Sequence, residues 1–493
     1  MDQQNEHQAF FNAKAAYEED KNPTTEKKLF KAMLPYLKEA ANSGDYVYFL
    51  HTLNEMDNYG FLEVSTNANQ IIWSVVGLLN RLKLKSDFPV QLFEELFNLL
   101  KKLNYNRPSR EHSLILNFFL KRPDHFHIFE QFISWWDIKN LRDEDFQNEQ
   151  FKDVSYPALA ETLYISLSKN CLAYVAESKE QLEDQDKRWM ISLSHELDEL
   201  YIKYPGYKMF PFYASKLRLN AGITHGVLTA FLPFARRNSS QFWVWDFLAD
   251  FFPTNPDLQL ALYCKGMLCR ADDHMKLAIQ AKLLESFINH NMFDEAHEEL
   301  DKIIQVKEYN KWKIHAALLA HKSKDWYLGS SNRRQSMKTY SRFAKDGESV
   351  LFNDQPTKMA VISAYLPDRG VAFIVTEDLT NAKFKVSKYR IYNPEPGMLL
   401  QVITETVEGT VEVVQAKPAT VQTHEKLFQI VEGRIKIINT GQFGIVNAVF
   451  VPQELIAQAG IHDGDPAIVK ALRSYDKKKD NWGWKAISLK INY

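Results

Sequence analysis

The chain has 493 residues and a formal net charge of -2, with 45% hydrophobic residues. That is too long for one ordinary core, and too apolar for a disordered tail, so several packed units are expected. From Lys322 onward 24 basic residues face 18 acidic ones, whereas the preceding part carries 36 against 44. The basic end points toward an anionic partner such as nucleic acid. No run approaches the roughly 18 apolar residues of a membrane span, and MDQQNEHQAF lacks the pattern of a secretory signal, so no membrane partner and a cytoplasmic location are expected. Three cysteines, Cys171, Cys264 and Cys269, are too few for a disulfide framework.

Up to His321 glycine is scarce and apolar residues recur at helical spacing. In DFPVQLFEELFNLLKKLN, Leu92, Phe93, Leu96, Phe97, Leu100 and Leu103 form one face after Pro89. Similar segments span 27–41, 158–175, 186–203, 213–221 and 275–290. This predicts an all-α array over 1–205 and helical repeats over 206–323. In the latter, MKLAIQAKLLESFINHNMFDEAHEELDKIIQV places Leu283 and Phe287 on one helix, Asn291 at a turn, and Phe293, Ala296, Leu300 and Ile303 on the next. The unit resembles a tetratricopeptide repeat, although Leu284 replaces the family's glycine and Glu308 its proline. The resemblance implies a helical solenoid that offers a protein partner a concave surface.

The aromatic run SSQFWVWDFLADFFPTNPD reads as buried helix core. Residues 324–356, with Lys324, Arg333, Arg334, Lys338, Arg342 and Lys345 among small polar residues, read as a basic linker suited to phosphate contact or to solvation. Two sets of short, β-branched, glycine-marked strands follow, over 357–420 and 424–493, as expected of tandem small barrels.

The second set resembles an OB barrel of the cold-shock type. QFGIV matches the family's first motif at Phe443 and Gly444, and VFVP its second at Val449, Phe450 and Val451. HDGDPAIV resembles the turn before the fourth strand, and WGWKAISL the closing strand with Lys485. The first set resembles the same family in RGVAFIV, with Arg369, Gly370 and Phe373, and in the turn glycine Gly397. The departures are Ile445 and Val371 at aromatic positions, Gly441 at a basic one, Ile437 and Ile438 on the first strand, and Pro452 in place of histidine. The resemblance implies single-stranded RNA or DNA, with RNA favoured, stacked on Phe443, Phe450 and Phe373. Arg369, Arg434, Lys436 and Lys485 would supply charge to its backbone. The run Lys477 to Lys479 is either a further phosphate contact or a solvated loop.

No phosphate-binding loop, dinucleotide fingerprint, nucleophile elbow or paired-histidine zinc motif occurs, so no enzyme activity, cofactor or metal is expected. The five-residue spacing of Cys264, Cys269 and His274 turns successive side chains roughly 140° apart around one helix, so these are read as buried helix cysteines and not as a metal site. His195, Glu196, Asp198 and Glu199 in SHELDE read as a surface salt network, and His125 and His127 form no larger cluster. The expected architecture is therefore multidomain α plus β: a tetratricopeptide-like solenoid followed by tandem OB, cold-shock-like barrels. The expected function is a non-enzymatic adaptor joining single-stranded nucleic acid to a protein partner. The alternative is a protein-interaction scaffold, a subunit of a bacterial conflict or defence complex, without nucleic-acid binding.

Overall fold

A computed structural model describes residues 2–82, 90–121, 128–152, 154–177, 182–389, 391–407, 409–421, 423–438, 442–476 and 480–491. Pro89, His125, His127, Gly441 and the run Lys477 to Lys479 lie outside the described residues. The chain is multidomain α plus β and divides into two compact units, one ending at Ile223 and the other beginning at Thr224. That division falls later than the 205/206 boundary read from the sequence. No described helix is long and apolar enough to cross a membrane.

Among the described residues the first unit is helical apart from one hairpin. Its helices are α1 (Asp2–Glu19), α2 (Pro23–Ser43), α3 (Tyr46–Asn58), α4 (Ser65–Leu82), α5 (Val90–Lys102), α6 (Arg110–Leu120), α7 (Phe129–Trp136), α8 (Leu159–Glu177), α9 (Asp184–Lys203) and α10 (Phe210–Asn220). Strands β1 (Glu149–Phe151) and β2 (Val154–Tyr156) form the hairpin. Local chemistry sets the helix ends. Before α2, Asn22 accepts from the Thr24 and Thr25 backbone amides while Thr25 Oγ1 accepts from the Asn22 amide at 3.1 Å, and Gly44 closes the helix in the left-handed region. The predicted stripe of α5 faces inward through Phe93, Leu96, Phe97 and Leu100.

One polar side chain sits deep in this core. His112 is fully buried, its ring lying 4.7 Å from that of Trp136 at 4°. Its two ring nitrogens meet the Tyr105 hydroxyl at 2.6 Å and the Trp136 carbonyl at 2.9 Å. Burial pushes its pKa down to about 4. The imidazole is thus a neutral, satisfied packing element.

The second unit begins with α11 (Val227–Arg237), α12 (Phe242–Ala249), α13 (Pro256–Met267), α14 (Leu277–Asn289), α15 (Phe293–Tyr309), α16 (Ala316–Ala320), α17 (Asp325–Leu328) and α18 (Ser336–Phe352). Trp245, Phe247 and Leu248 of the aromatic run are buried. Helices α14 and α15 pack on each other across a turn at Asn291, whose φ of 55° is positive. Ala296 is fully buried in their contact region.

Helix α18 corrects the linker expectation. Its basic surface conceals a stripe of Tyr340, Ala344, Gly347 and Leu351, all buried. Gly347 lets the helix lie directly on α13, since a Cβ there would fall 2.8 Å from the Ala261 carbonyl oxygen. The helix start is held by a carboxylate from α15. Glu298 accepts from the Gln335 amide at 2.7 Å and from the Ser336 amide, and pairs with Lys302 at 2.9 Å. Burial alone would raise the Glu298 carboxyl pKa, but Lys302 and the Ser336 and Gln335 donors bring it below the ordinary value.

Two closed five-stranded barrels complete the unit. The first contains β3 (Lys358–Leu366), β4 (Val371–Thr376), β5 (Asn381–Lys385), β6 (Leu399–Val407) and β7 (Thr410–Pro418), joined in the order β3-β4-β5-β7-β6. The second contains β8 (Phe428–Ile438), β9 (Phe443–Val446), β10 (Val449–Pro452), β11 (Pro466–Asp476) and β12 (Asn481–Ile491), in the order β10-β12-β11-β8-β9. In each, the third and fifth strands pair in parallel and every other pairing is antiparallel. This is OB topology, and α19 (Gln453–Ala459) fills the interval before the fourth strand of the second barrel. Each barrel has its own aliphatic centre. A third cluster joins them through Val361, Val375 and Leu399 of the first and Leu427, Phe428 and Leu472 of the second.

Candidate nucleic-acid interface

The outer face of the second barrel follows from alternation along its strands. On β8, Ile435 is buried while Arg434 and Lys436 are exposed. On β9, Gly444 and Val446 point inward, leaving Phe443 and Ile445 half-buried on the other side. On β10, Val449 and Val451 enter the core and Phe450 faces out at 43% exposure. Gly444 packs closely inside: a Cβ there would lie 2.8 Å from Ile435 Cδ1 and 3.1 Å from Ile456 Cδ1, so the Ile435 side chain would have to shift.

Strand register then aligns residues that are distant in sequence. Lys436 pairs with Ile445, Ile445 with Phe450, and Phe450 with Lys485 of β12. A single row, Lys436–Ile445–Phe450–Lys485, therefore crosses four strands with a cation at each end. Phe443 lies beside it, its ring centroid 5.5 Å from that of Phe450 at an interplanar angle of 31°. Neither lysine has a carboxylate partner among the described residues. Such a surface combines flat apolar rings with flanking positive charge, the pairing that holds unpaired bases and their phosphates.

Arg434 occupies the same face of β8 one pleat from Lys436. Its Nη1 donates to the Gly464 carbonyl at 2.8 Å, so part of its fork is spent on the HDGD turn. That turn is docked by three further bonds: the Gly464 amide to the Ile435 carbonyl, the Ile435 amide to the Asp465 carbonyl, and the Ile437 amide to Asp463 at 2.7 Å.

The remaining expected residues belong to the first barrel. Phe373 stands on β4 at 37% exposure, between Ala364 of β3 and Lys383 of β5. Arg369 is exposed in the turn between β3 and β4, where Gly370 adopts φ of 60°. The seven residues read from the sequence thus divide five to two between the barrels. Sequence reading passed over Lys383 and Lys385, although the alternation of NAKFK leaves both exposed around the buried Phe384. It also passed over Arg473, whose guanidinium lies 5.2 Å from the Trp484 ring centroid across the β11–β12 pair.

The other candidate clusters have structural partners. Arg218 pairs with Asp198 and approaches His195 at 3.5 Å, and Tyr164 donates to Glu196 at 3.2 Å. All three cysteines are buried and none forms a disulfide, and burial raises the pKa of the Cys171 thiol to about 12. Among the described residues no group of three or more His, Cys, Asp or Glu side chains is arranged to hold a metal ion.

Comparison with known families gives two matches. Residues 429–489 match a family described as S1/CSD-like domain 2 of the TOTE conflict systems. This covers most of the second barrel and supports a nucleic-acid-binding fold of S1 and cold-shock type in a defence-related setting. Residues 208–347 match a domain family of unknown function, DUF7017, which includes α10 to α17 and most of α18. No curated protein matches the chain.

Proposed function

We propose that the protein is a non-enzymatic cytoplasmic adaptor that holds single-stranded nucleic acid, RNA in preference to DNA, on its second barrel. The observation that carries this reading is the four-strand row Lys436–Ile445–Phe450–Lys485 with Phe443 packed beside Phe450. Two bases stack on the phenylalanines while the lysines meet the phosphates on either side. The first barrel contributes a weaker contact through Phe373, Arg369 and Lys383. The helices, a tetratricopeptide-like scaffold, recruit a protein partner of a conflict or defence system, a setting supported by the family match of the second barrel.

Fluorescence anisotropy of labelled single-stranded RNA and DNA with the full chain tests the proposal. Binding that weakens steeply between low and moderate salt, and that the Phe443→Ala, Phe450→Ala double variant loses while remaining folded, is the expected result. Absence of binding by the full chain at low salt would transfer the reading to a protein-interaction scaffold.

A further inference from the structure

We propose a second anion site, separate from the barrel face: a cleft between the helices of the second unit and the first barrel that binds the di- or triphosphate group of a nucleotide. The cleft has a volume of 340 Å³ and is bounded by α13, α18 and β7 together with the segment following β5. That size suits a ligand of nucleotide dimensions, since small-molecule sites begin at about 300 Å³.

Its charge is one-sided. Lys265, Arg270, Lys345, Lys388 and Lys417 line it, against the single carboxylate of Glu348. Glu348 is already engaged by two of them, Lys265 directly and Lys417 at 3.3 Å. Burial would raise the Glu348 pKa, but these ammonium groups hold it below the ordinary carboxylate value, so it stays ionised. Arg270 and Lys345 are exposed at the rim, with no carboxylate partner among the described residues.

Lys388 is the informative member. It is partly withdrawn from water, and its ammonium donates to the Arg237 carbonyl at 2.9 Å, with the Glu412 carboxylate near enough to act on it but not in an ion pair. Burial lowers its pKa. An ammonium held in this way is stabilised by an arriving anion, and the excess of four positive charges in the lining matches a polyphosphate better than a single carboxylate. A partly buried ammonium anchored on a backbone carbonyl and two rim cations without ion-pair partners among the described residues together form a prepared phosphate cradle.

Isothermal titration calorimetry of the full chain at low salt, with inorganic pyrophosphate and with ATP as probes, tests the site. Both probes should bind, and the Arg270→Glu, Lys345→Glu double variant should weaken each at least tenfold with an unchanged circular dichroism spectrum. If charge reversal disturbs folding, Lys345→Ala should still weaken pyrophosphate severalfold. The Phe443→Ala, Phe450→Ala variant should bind pyrophosphate as the parent does, which separates this site from the barrel face. A 5′-triphosphorylated RNA oligomer tightening over its 5′-hydroxyl form, with ATP silent, would identify a strand end as the source of the same phosphates. Failure of pyrophosphate, ATP and the triphosphorylated oligomer alike to bind the parent, or equal affinity in parent and rim variants, would overturn the proposal.

Discussion

The two barrels share one strand order and differ in what they present along equivalent rows. In the second, the row from the first strand through the third to the fifth reads Lys436, Ile445, Phe450, Lys485. In the first it reads Ala364, Phe373, Lys383, Glu412. One barrel offers two paired rings between uncompensated cations. The other offers one ring, with a carboxylate paired in register beside its lysine. On the proposed function, a shared topology therefore carries unequal capacity for an anionic strand, because function resides in the side chains at matched positions. Their motif glycines differ as well. Gly444 is small because Ile435 and Ile456 press on it, whereas Gly370 has open space and is needed for its positive φ.

The sharpest way to break this comparison is to remove the rings from each barrel in turn. Stacking is worth about 1–3 kcal/mol per base, so Phe443→Ala, Phe450→Ala should weaken binding by about 30-fold or more. Phe373→Ala should change it by no more than about threefold. Anisotropy titrations of both variants measure the ratio, and an equal loss from both would erase the proposed inequality.

The glycines allow a comparison in stability. Gly444→Ala forces a methyl into the Ile435 and Ile456 contact and should cost about 1–3 kcal/mol. Gly370→Ala meets no neighbour within 4 Å and should cost about 1 kcal/mol from the left-handed backbone alone. Hydrogen exchange resolved by strand reads each barrel separately. Protection should fall most in β8–β10 for the first variant and in β3–β5 for the second.

Charge provides a smaller test. Replacing Lys436 or Lys485 with Gln should reduce the salt slope of single-strand binding by about 0.7 each. Glu412→Lys, which gives the first barrel a cation where the second has Lys485, should tighten binding by about two- to fivefold. An unchanged salt slope in both lysine variants would remove them from the phosphate path.

Much of this pattern was legible before the fold was known, and the misses have particular causes. Phe450 stands between two valines, and the resemblance of VFVP to the family's second motif implied the outward face on which the structure has it. Phe443 is followed by glycine, which carries no hydropathy signal, so its face depended on the register with Ile438 and Pro452. The lysines of the row are 49 residues apart in sequence and fall in one row only because β10 pairs in parallel with β12. Helix α18 was read as a linker because its inward stripe holds a single aliphatic, Leu351, beside tyrosine, alanine and glycine, and its N-terminus is capped by Glu298 from another helix. A long-range cap of that kind has no local signature. The strand NAKFK of the first barrel drew no site residue from the sequence for a related reason: it alternates correctly but carries lysine where an aromatic was sought.

The smallest expected effect separates the barrels by pH. In the first, Asp378 accepts from Lys358 at 2.6 Å and from the Thr376 hydroxyl in the turn joining β4 to β5. Burial would raise its carboxyl, but Lys358 and Thr376 outweigh that and bring it to about 2 from the ordinary 3.8. A carboxyl depressed on folding stabilises the fold above its unfolded value, and the contribution is lost as pH falls from about 4 through about 2. The side chain is 43% exposed, so solvent screening should hold the effect below about 1 kcal/mol. Asp378→Asn should therefore lower protection of β3–β5 slightly at neutral pH, with the difference from the parent closing as pH falls through that window. The second barrel should respond equally in both proteins. A difference that persisted unchanged below pH 2 would mean that Asp378 acts as a turn-shaping acceptor, which asparagine replaces imperfectly, and not through its charge.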